Sequence, residues 1–303
     1  MSPAADPNDA PPAVTVAMPA WNAAATVQCS VRSIIGQTFS DWELIIVDDG
    51  SDDGTAEQIG AIGDPRIILL RDGARRGLAA RLNQIIERAR GKYIARMDAD
   101  DVAFPRRLEL QVEHLERNRT VDLLGTRALA IESDGRPIGL LPFRQHHAAI
   151  CRRPWLGFYL PHPTWMGRLA WFRQYGYRIP EVHRAEDQDL LLRSYAKSRF
   201  ECLAEVLLGY RLSPSTLRRT LTVRYSVARA QARAHLGDRR PGFAVLGAGA
   251  ALAKGLVDIA LVAAGKKLRT ARGLEPADPP LLEEWGQLWR SLHELDAQRG
   301  KSG

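Results

Sequence analysis

The first hundred residues alternate between short apolar runs and amphipathic stretches. Val14–Met18, Trp42–Val47, Arg66–Leu70 and Lys92–Met97 are compact apolar segments that read as strands. Between them, Ala23–Ile35 places Val27, Val31, Ile34 and Ile35 on one helical face, and Asp53–Ile62 and Gly77–Ala89 also read as helices, the last ended by Gly91. Pro105–Arg117 reads as a fourth helix with proline near its first turn. Four strand–helix alternations in this span predict a parallel sheet with right-handed crossovers and helices on both faces. The second half is less regular. Val121–Ile131 and Pro137–Leu141 read as strands around the turn Ser133-Asp134-Gly135, His162–Met166 as a short strand-like segment, and Glu186–Ala196 as a helix. Phe200–Tyr210 reads as an extended segment running to Arg211, and from Thr220 onward the chain becomes Ala- and Arg-rich helix.

In an open parallel sheet the ligand sits beyond the carboxyl ends of the strands. Polar clusters fall there: Pro19–Asn22 after the first strand, Asp48–Ser51 after the second, Asp98–Asp101 after the fourth. Met97-Asp98-Ala99-Asp100-Asp101 places three carboxylates within five residues, with Arg96 as the nearby cation. Such anions repel unless a cation joins them, and oxygen donors of this kind suit Mg²⁺ or Mn²⁺, which also grips a substrate diphosphate. A solvated Asp-rich turn is the alternative for this segment alone. No G-x-G-x-x-G follows the first strand and no G-x-x-x-x-G-K-[ST] is present, which disfavours a dinucleotide site and a phosphate-loop NTPase.

Composition refines this picture. With 303 residues, 45% of them hydrophobic, the chain can form one large domain plus an appendage. Cys29, Cys151 and Cys202 show neither disulfide nor metal-ligand spacing, which suggests a reducing cytoplasm. Met1–Ala13 is rich in Pro, Ala and Asp; lacking a basic start and an apolar stretch, it reads as a disordered leader rather than a signal peptide. The net charge of +7 belongs to the C-terminal third, where residues 211–272 carry 13 basic against 2 acidic residues. Such a stretch could meet nucleic acid, anionic lipid or an anionic substrate. Its aromatics are Tyr225 and Phe243 and no nucleic-acid motif appears, so nucleic acid is not an expected partner.

Ala244–Gly265 is apolar but carries Lys254 and Asp258 on one helical face, together with Gly247, Gly249 and Gly255. Charges at mid-span argue against a transmembrane helix. Two readings stand. One is a helical appendage packed on the catalytic domain or on a second subunit. The other is an interfacial helix, flanked by Lys266, Lys267, Arg269 and Arg272, that docks on anionic lipid. Trp285, Trp289 and Leu292 follow helical spacing and read as packing.

The runs VAMPAWN (16–22), SIIGQTFSDWELIIVDDGSDDGT (33–55), GLAARLNQIIERARGKYIARMDADD (77–101), LPHPTWM (160–166) and AEDQDLLLR (185–193) occur in order. Together they resemble the family 2 glycosyltransferases of the GT-A fold over roughly residues 14–212. The resemblance implies an α/β, Rossmann-like, mostly parallel sheet flanked by helices with an α-helical C-terminal extension. The expected division is a leader 1–13, a catalytic domain 14–212 (nucleotide-binding half 14–101, acceptor half 102–212) and a basic helical extension 213–303. The implied activity is inverting, metal-dependent transfer of one sugar from a UDP- or dTDP-sugar to a hydroxyl acceptor in cell-envelope polysaccharide or glycolipid assembly. The implied cofactor is Mn²⁺ or Mg²⁺. The implied partners are a nucleotide-sugar donor and a saccharide or lipid-linked saccharide acceptor, with peripheral contact to anionic membrane through 244–272 and a cytoplasmic location at its inner face.

Residue by residue, the resemblance assigns Pro19, Ala20, Trp21 and Asn22, with Asp48 and Asp49, to the nucleotide. Trp21 stands where Tyr or Phe is usual and offers a face for a pyrimidine. Asp49 accepts from the base N3–H, which favours uracil or thymine, and Asp48 braces the loop or caps the next helix. Asp100 is the expected direct metal ligand. Asp98 contacts the ribose or a metal-bound water, and Asp101 belongs to the outer shell or caps the following helix. Arg81 assists the phosphates or is a solvated helix residue. Asp187 is the expected general base and Glu186 orients the acceptor, while Asp189 points elsewhere; first-turn acids favoured by the helix dipole are the plainer reading of this cluster. His162 and Trp165 are expected on the acceptor side, with simple packing as the alternative for His162. No Q-x-x-R-W follows and several membrane spans are lacking, so a non-processive enzyme is expected. The competing classes are a nucleotidyltransferase, disfavoured because Pro19–Asn22 has neither Gly nor a basic residue, and a non-catalytic basic binding protein.

Overall fold

The structure is a computed structural model describing residues 10–180, 184–212, 216–237, 241–264 and 273–299. Most of the expected leader, and the flanking Lys266, Lys267, Arg269 and Arg272, lie outside the described residues.

Strands β1 (Val14–Ala20), β2 (Trp42–Asp48), β3 (Ile67–Arg71) and β4 (Tyr93–Arg96) form a parallel array in the order β3-β2-β1-β4. β1, β2 and β4 are buried along their whole length, as near-continuous apolar runs require when helices cover both faces. The covering helices are α1 (Val27–Ile35), α2 (Thr55–Gly60) and α3 (Leu78–Arg88). Gly91 lets β4 begin against β1: a Cβ there would lie 2.4 Å from the Thr15 nitrogen.

Beyond β4 the sheet changes direction. After β5 (Val102–Ala103) and α4 (Arg107–Arg117) come β6 (Leu123–Ile131) and β7 (Pro137–Leu140). The single-turn helix α5 (His147–Ile150) precedes β8 (Met166–Arg168), α6 (Leu169–Tyr175), α7 (Glu186–Ser194) and β9 (Phe200–Arg211). β8 is antiparallel to both β4 and β6, β6 pairs parallel with β9, and β5 runs antiparallel to β9. Parallel character therefore holds among β1–β4, and the strands that follow make the sheet mixed. The segment His162–Met166 is not a strand: His162–Thr164 forms a 3-10 turn, because Pro161 and Pro163 bring no N–H to a ladder, and pairing begins at Met166. Helix α6 went unpredicted.

Three helices complete the chain: α8 (Leu217–Gly237), α9 (Pro241–Ala263) and α10 (Pro279–Arg299). α8 and α9 lie antiparallel. Gly247 meets Gln231, Gly255 meets Leu221, and Asp258 pairs with Arg224. α9 is long and apolar enough to cross a membrane by length and composition, yet little of it is buried. Val245 is 72% exposed, Leu252 67% and Leu256 59%. α10 folds back on the catalytic sheet instead. Trp285 packs on Phe104 and Gly209, and Trp289 on Gly135, so this stripe is packing, as its spacing suggested.

Candidate functional site

The carboxyl ends of β1 and β2 carry two loops that clasp each other. Asn22, held at a left-handed φ of 47°, donates from its amide to Asp52 at 2.9 Å. Its backbone N–H reaches Ser51 Oγ at 2.9 Å. Trp21 is 47% exposed, and the Arg75 guanidinium lies 3.7 Å over its ring. Asp48 accepts from the Ser51 N–H at 3.2 Å, which braces the turn. It caps no helix: Asp53 accepts from the Thr55 N–H and so takes the start of α2.

Asp49 is buried and its Oδ1 accepts from Arg76 N at 2.7 Å and Arg81 Nε at 2.8 Å. Its Oδ2 accepts from Gly77 N at 3.0 Å. Arg81 is fully buried rather than solvated, because Asp49 and Asp72 flank its guanidinium and Gln84 and the Ala74 carbonyl take its remaining donors. With those donors committed it ties the loop after β2 to the loop after β3. Its ion pair keeps the Asp72 carboxyl well below the usual carboxylate range.

The acid loop opens where β4 ends. Buried Arg96 pairs with Asp98 at 2.6 Å. Burial and the neighbouring Asp98 charge push Asp100 up to about 6. Asp101 is fully buried, and burial with the Asp100 charge raises its pKa as well. Its Oδ1 accepts from the Arg211 N–H at 2.8 Å, while its Oδ2 has no hydrogen-bond partner. Asp101 therefore fastens β9 and does not cap α4, which starts at Arg107. Arg211 also donates from Nε to the Asp100 carbonyl at 2.7 Å and from Nη1 to Glu132 at 3.0 Å. A crevice of about 320 Å³ opens here, lined by Pro19, Trp21, Asn22, Asp98, Asp100 and Arg211.

Asp98, Asp100 and Asp101 bring carboxylate oxygens within 4.8 Å of one another. Hard oxygen donors, an orphaned buried oxygen on Asp101 and mutual repulsion that raises Asp100 all fit a divalent cation such as Mg²⁺ or Mn²⁺.

Helix α7 starts with Glu186 and Asp187. Asp187 sits where a groove of about 480 Å³ separates the catalytic domain from the α8–α9 pair. Burial raises its pKa, opposed by a hydrogen bond from Gln188 and by the Arg96 charge. Asp189 indeed points away, pairing with Arg193 at 2.8 Å. His162 and Trp165, expected on the acceptor side, belong to the core. Trp165 is fully buried and donates to the Leu160 carbonyl at 3.1 Å. His162 Nε2 lies 2.7 Å from the Tyr177 hydroxyl, and burial with the Arg96 charge holds its pKa well below the ordinary value. The proline-bracketed turn points both rings inward. The groove is lined instead by Phe158, Tyr159 and Gln188, and across from them by Arg224, Gln231 and Lys254 of the helix pair. Of these only Lys254 stood out in the sequence, as a charge within an apolar run, and not as a groove residue, because their proximity depends on how the C-terminal helices dock. Arg211 and Arg107 were also missed. Arg107 is fully buried and holds the Arg96 and Pro163 carbonyls at 2.6 and 2.8 Å.

An acid loop at the end of β4 thus borders a clasped β1–β2 crevice, and Asp187 lines a separate groove. The glycosyl transferase family 2 model matches residues 15–176, just over half of the chain, and the chain belongs to that family of enzymes. EpsE of Bacillus subtilis, named as a candidate glycosyltransferase, is 39% identical over 190 residues, covering 61% of this chain and 67% of EpsE. The O-antigen biosynthesis glycosyltransferase WbnJ of Escherichia coli is 31% identical over 222 residues, covering 70% of this chain and 85% of WbnJ. In fold, the chain is similar to the mannosyltransferase PcManGT of Pyrobaculum calidifontis in complex with GDP-Man and Mn²⁺. That match has a TM-score of 0.57 at 18% identity and covers 85% of this chain and 77% of the other.

Proposed function

We propose that the chain is an inverting, metal-dependent glycosyltransferase. It moves one sugar from a nucleotide diphosphate sugar, first a UDP- or dTDP-sugar, to a hydroxyl of a saccharide or lipid-linked saccharide in cell-envelope polysaccharide or glycolipid assembly. The observation that carries this is the cluster of Asp98, Asp100 and Asp101, whose carboxylate oxygens lie within 4.8 Å of one another beside the β1–β2 crevice, with Arg96 paired to Asp98.

Trp21 offers an exposed ring beside the crevice, and Asp49 Oδ2 keeps capacity to accept a base N3–H. Asp98 and Asp100, with Asp101 behind them, would hold Mg²⁺ or Mn²⁺, which when bound neutralises the diphosphate leaving group. Asp187 takes the proton of the acceptor hydroxyl as that oxygen bonds to the anomeric carbon. The bond from that carbon to the phosphate oxygen breaks in the same displacement, and the nucleoside diphosphate leaves with the electron pair. Glu186, next to Asp187 in the first turn of α7, would orient the acceptor. The exposed apolar residues of α9 support peripheral contact with anionic membrane on the cytoplasmic side through 244–272, whose last eight residues lie outside the described residues.

The test is a thermal-shift series with UDP, dTDP, GDP and CDP, each with and without Mn²⁺. A ligand at 100 times its dissociation constant adds about 2.7 kcal/mol to stability. A Mn²⁺-dependent rise with UDP or dTDP is expected; no rise with any nucleotide would overturn the donor site.

A further inference from the structure

We infer that the groove beside Asp187 contains a seat for a phosphate ester, built by the C-terminal helix pair, and that the acceptor carries this phosphate between its sugar and a lipid. The inference rests on Asp187 being the acceptor's base.

Three cations line the groove: Arg184 from the segment leading into α7, Arg224 from α8 and Lys254 from α9. Asp187 is the one acid among the lining residues described. Arg224 is steadied from behind by buried Asp258, so its guanidinium has a fixed position. Lys254 has its Nζ 3.5 Å from the Leu156 carbonyl. Burial and the Arg224 charge both work against its protonated form. Arg224 already pairs with Asp258, so Arg184 and Lys254 against Asp187 leave the groove an excess of positive charge, for which a phosphate ester supplies acceptor oxygens. Gly247 keeps this wall close: a Cβ there would meet Gln231 at 2.6 Å and approach the Trp155 carbonyl at 3.4 Å.

The same helix supplies the next part of an amphiphile's path. Outside the groove α9 exposes Val245, Leu246, Leu252, Leu256, Val257 and Ile259, while α8 beside it exposes Arg218, Arg219, Arg229 and Arg233. A ligand consisting of sugar, phosphate and hydrocarbon chain thus meets a base, a pair of cations and an apolar helix face. A bilayer phospholipid headgroup offers the same phosphate chemistry, so the test must separate the two sources.

The test is equilibrium dialysis of the full chain against radiolabelled geranyl diphosphate, a soluble probe with both phosphate and prenyl parts. Wild type and Lys254→Glu are compared without added metal, each with and without excess UDP. Cosedimentation with phosphatidylglycerol vesicles runs in parallel. Saturable binding is expected, weakened about tenfold or more by Lys254→Glu and unchanged by UDP. Equal binding in wild type and Lys254→Glu overturns the seat. Displacement of the probe by UDP overturns it too, because the diphosphate would then be occupying the donor crevice. If Lys254→Glu loses vesicle binding but keeps the probe, the cations serve bilayer headgroups and the acceptor seat is refuted. Circular dichroism melting checks that Lys254→Glu is folded, with Lys254→Met as the milder replacement. Failure of the donor site would show separately, in the nucleotide thermal shifts.

Discussion

The backbone N–H of Arg211 donates to Asp101 Oδ1 at 2.8 Å, tying the last strand of the sheet to the acid loop that β4 opens. The same residue reaches the Asp100 carbonyl and, across a cation–π contact of 5.6 Å, lies over Trp289 of α10. The distant C-terminal helix therefore helps to hold the acid loop. Replacing Arg211 by Ala keeps the N–H but removes the guanidinium. Partners of this kind, one shell out from a metal, typically change affinity 10- to 100-fold. We expect Arg211→Ala to weaken Mn²⁺-dependent nucleotide binding by about tenfold, measured by titration calorimetry, with little change in the far-ultraviolet spectrum.

Asp100 carries a pH signature. Its folded pKa of about 6 lies above its ordinary value, so between roughly pH 4 and 6 the folded state binds more protons than the unfolded one. Stability from this group is therefore lost as pH rises through that window. The metal-free chain should melt higher near pH 5 than near pH 7, and Mn²⁺ should narrow the difference. Asp100→Asn should shrink the pH step, leaving the part contributed by Asp101 and Asp187, and should abolish the Mn²⁺ effect. A step of equal size in the variant would remove Asp100 as its source.

Asp187→Asn should leave nucleotide binding intact and lower the transfer rate by about 10²- to 10⁴-fold, the usual contribution of a general base. Because burial raises the Asp187 pKa, wild-type activity should climb with pH through a point above the ordinary carboxylate range as the base loses its proton. The residual rate of the variant should lack that limb. Initial-rate profiles with saturating donor decide this.

Arg81→Met strands buried Asp49 without its ion-pair partner. Removing one member of a buried pair costs about 3–5 kcal/mol, and the partial exposure of Asp72 places this case at the lower end. Urea denaturation should show a loss of about 3 kcal/mol. Unchanged stability with weakened diphosphate binding would mean that Arg81 serves the phosphates.

Gly209→Val tests the docking of α10. A Cβ at this position would lie 2.4 Å from the Trp285 ring. Overpacking of this kind typically destabilises by about 1–3 kcal/mol. The displaced ring should also raise tryptophan quenching by acrylamide.

The first hundred residues were legible because their determinants are local. Apolar runs of strand length, separated by helices of period 3.6, fix a parallel array. Polar residues following each run must then fall at one edge, and there Asp98 and Asp100 line the crevice while the Asp49 N–H donates to the Ala20 carbonyl beside it. The segment Glu186–Ser194 likewise announced its first-turn acids. Tertiary structure decided what side chains of ambiguous character do. Nothing local distinguishes a solvated Arg81 from one locked between Asp49 and Asp72, since the partners lie 32 and 9 residues away. His162 and Trp165 were expected at the acceptor because of their motif, but two prolines turn them into the core. The antiparallel β8 enters the sheet from a segment too short to show periodicity, and α9 has one composition whether it packs, floats on lipid or spans it. Where it lies, and therefore what lines the groove beside Asp187, follows from long-range contacts such as Arg224–Asp258, whose formation depends on the whole chain having closed.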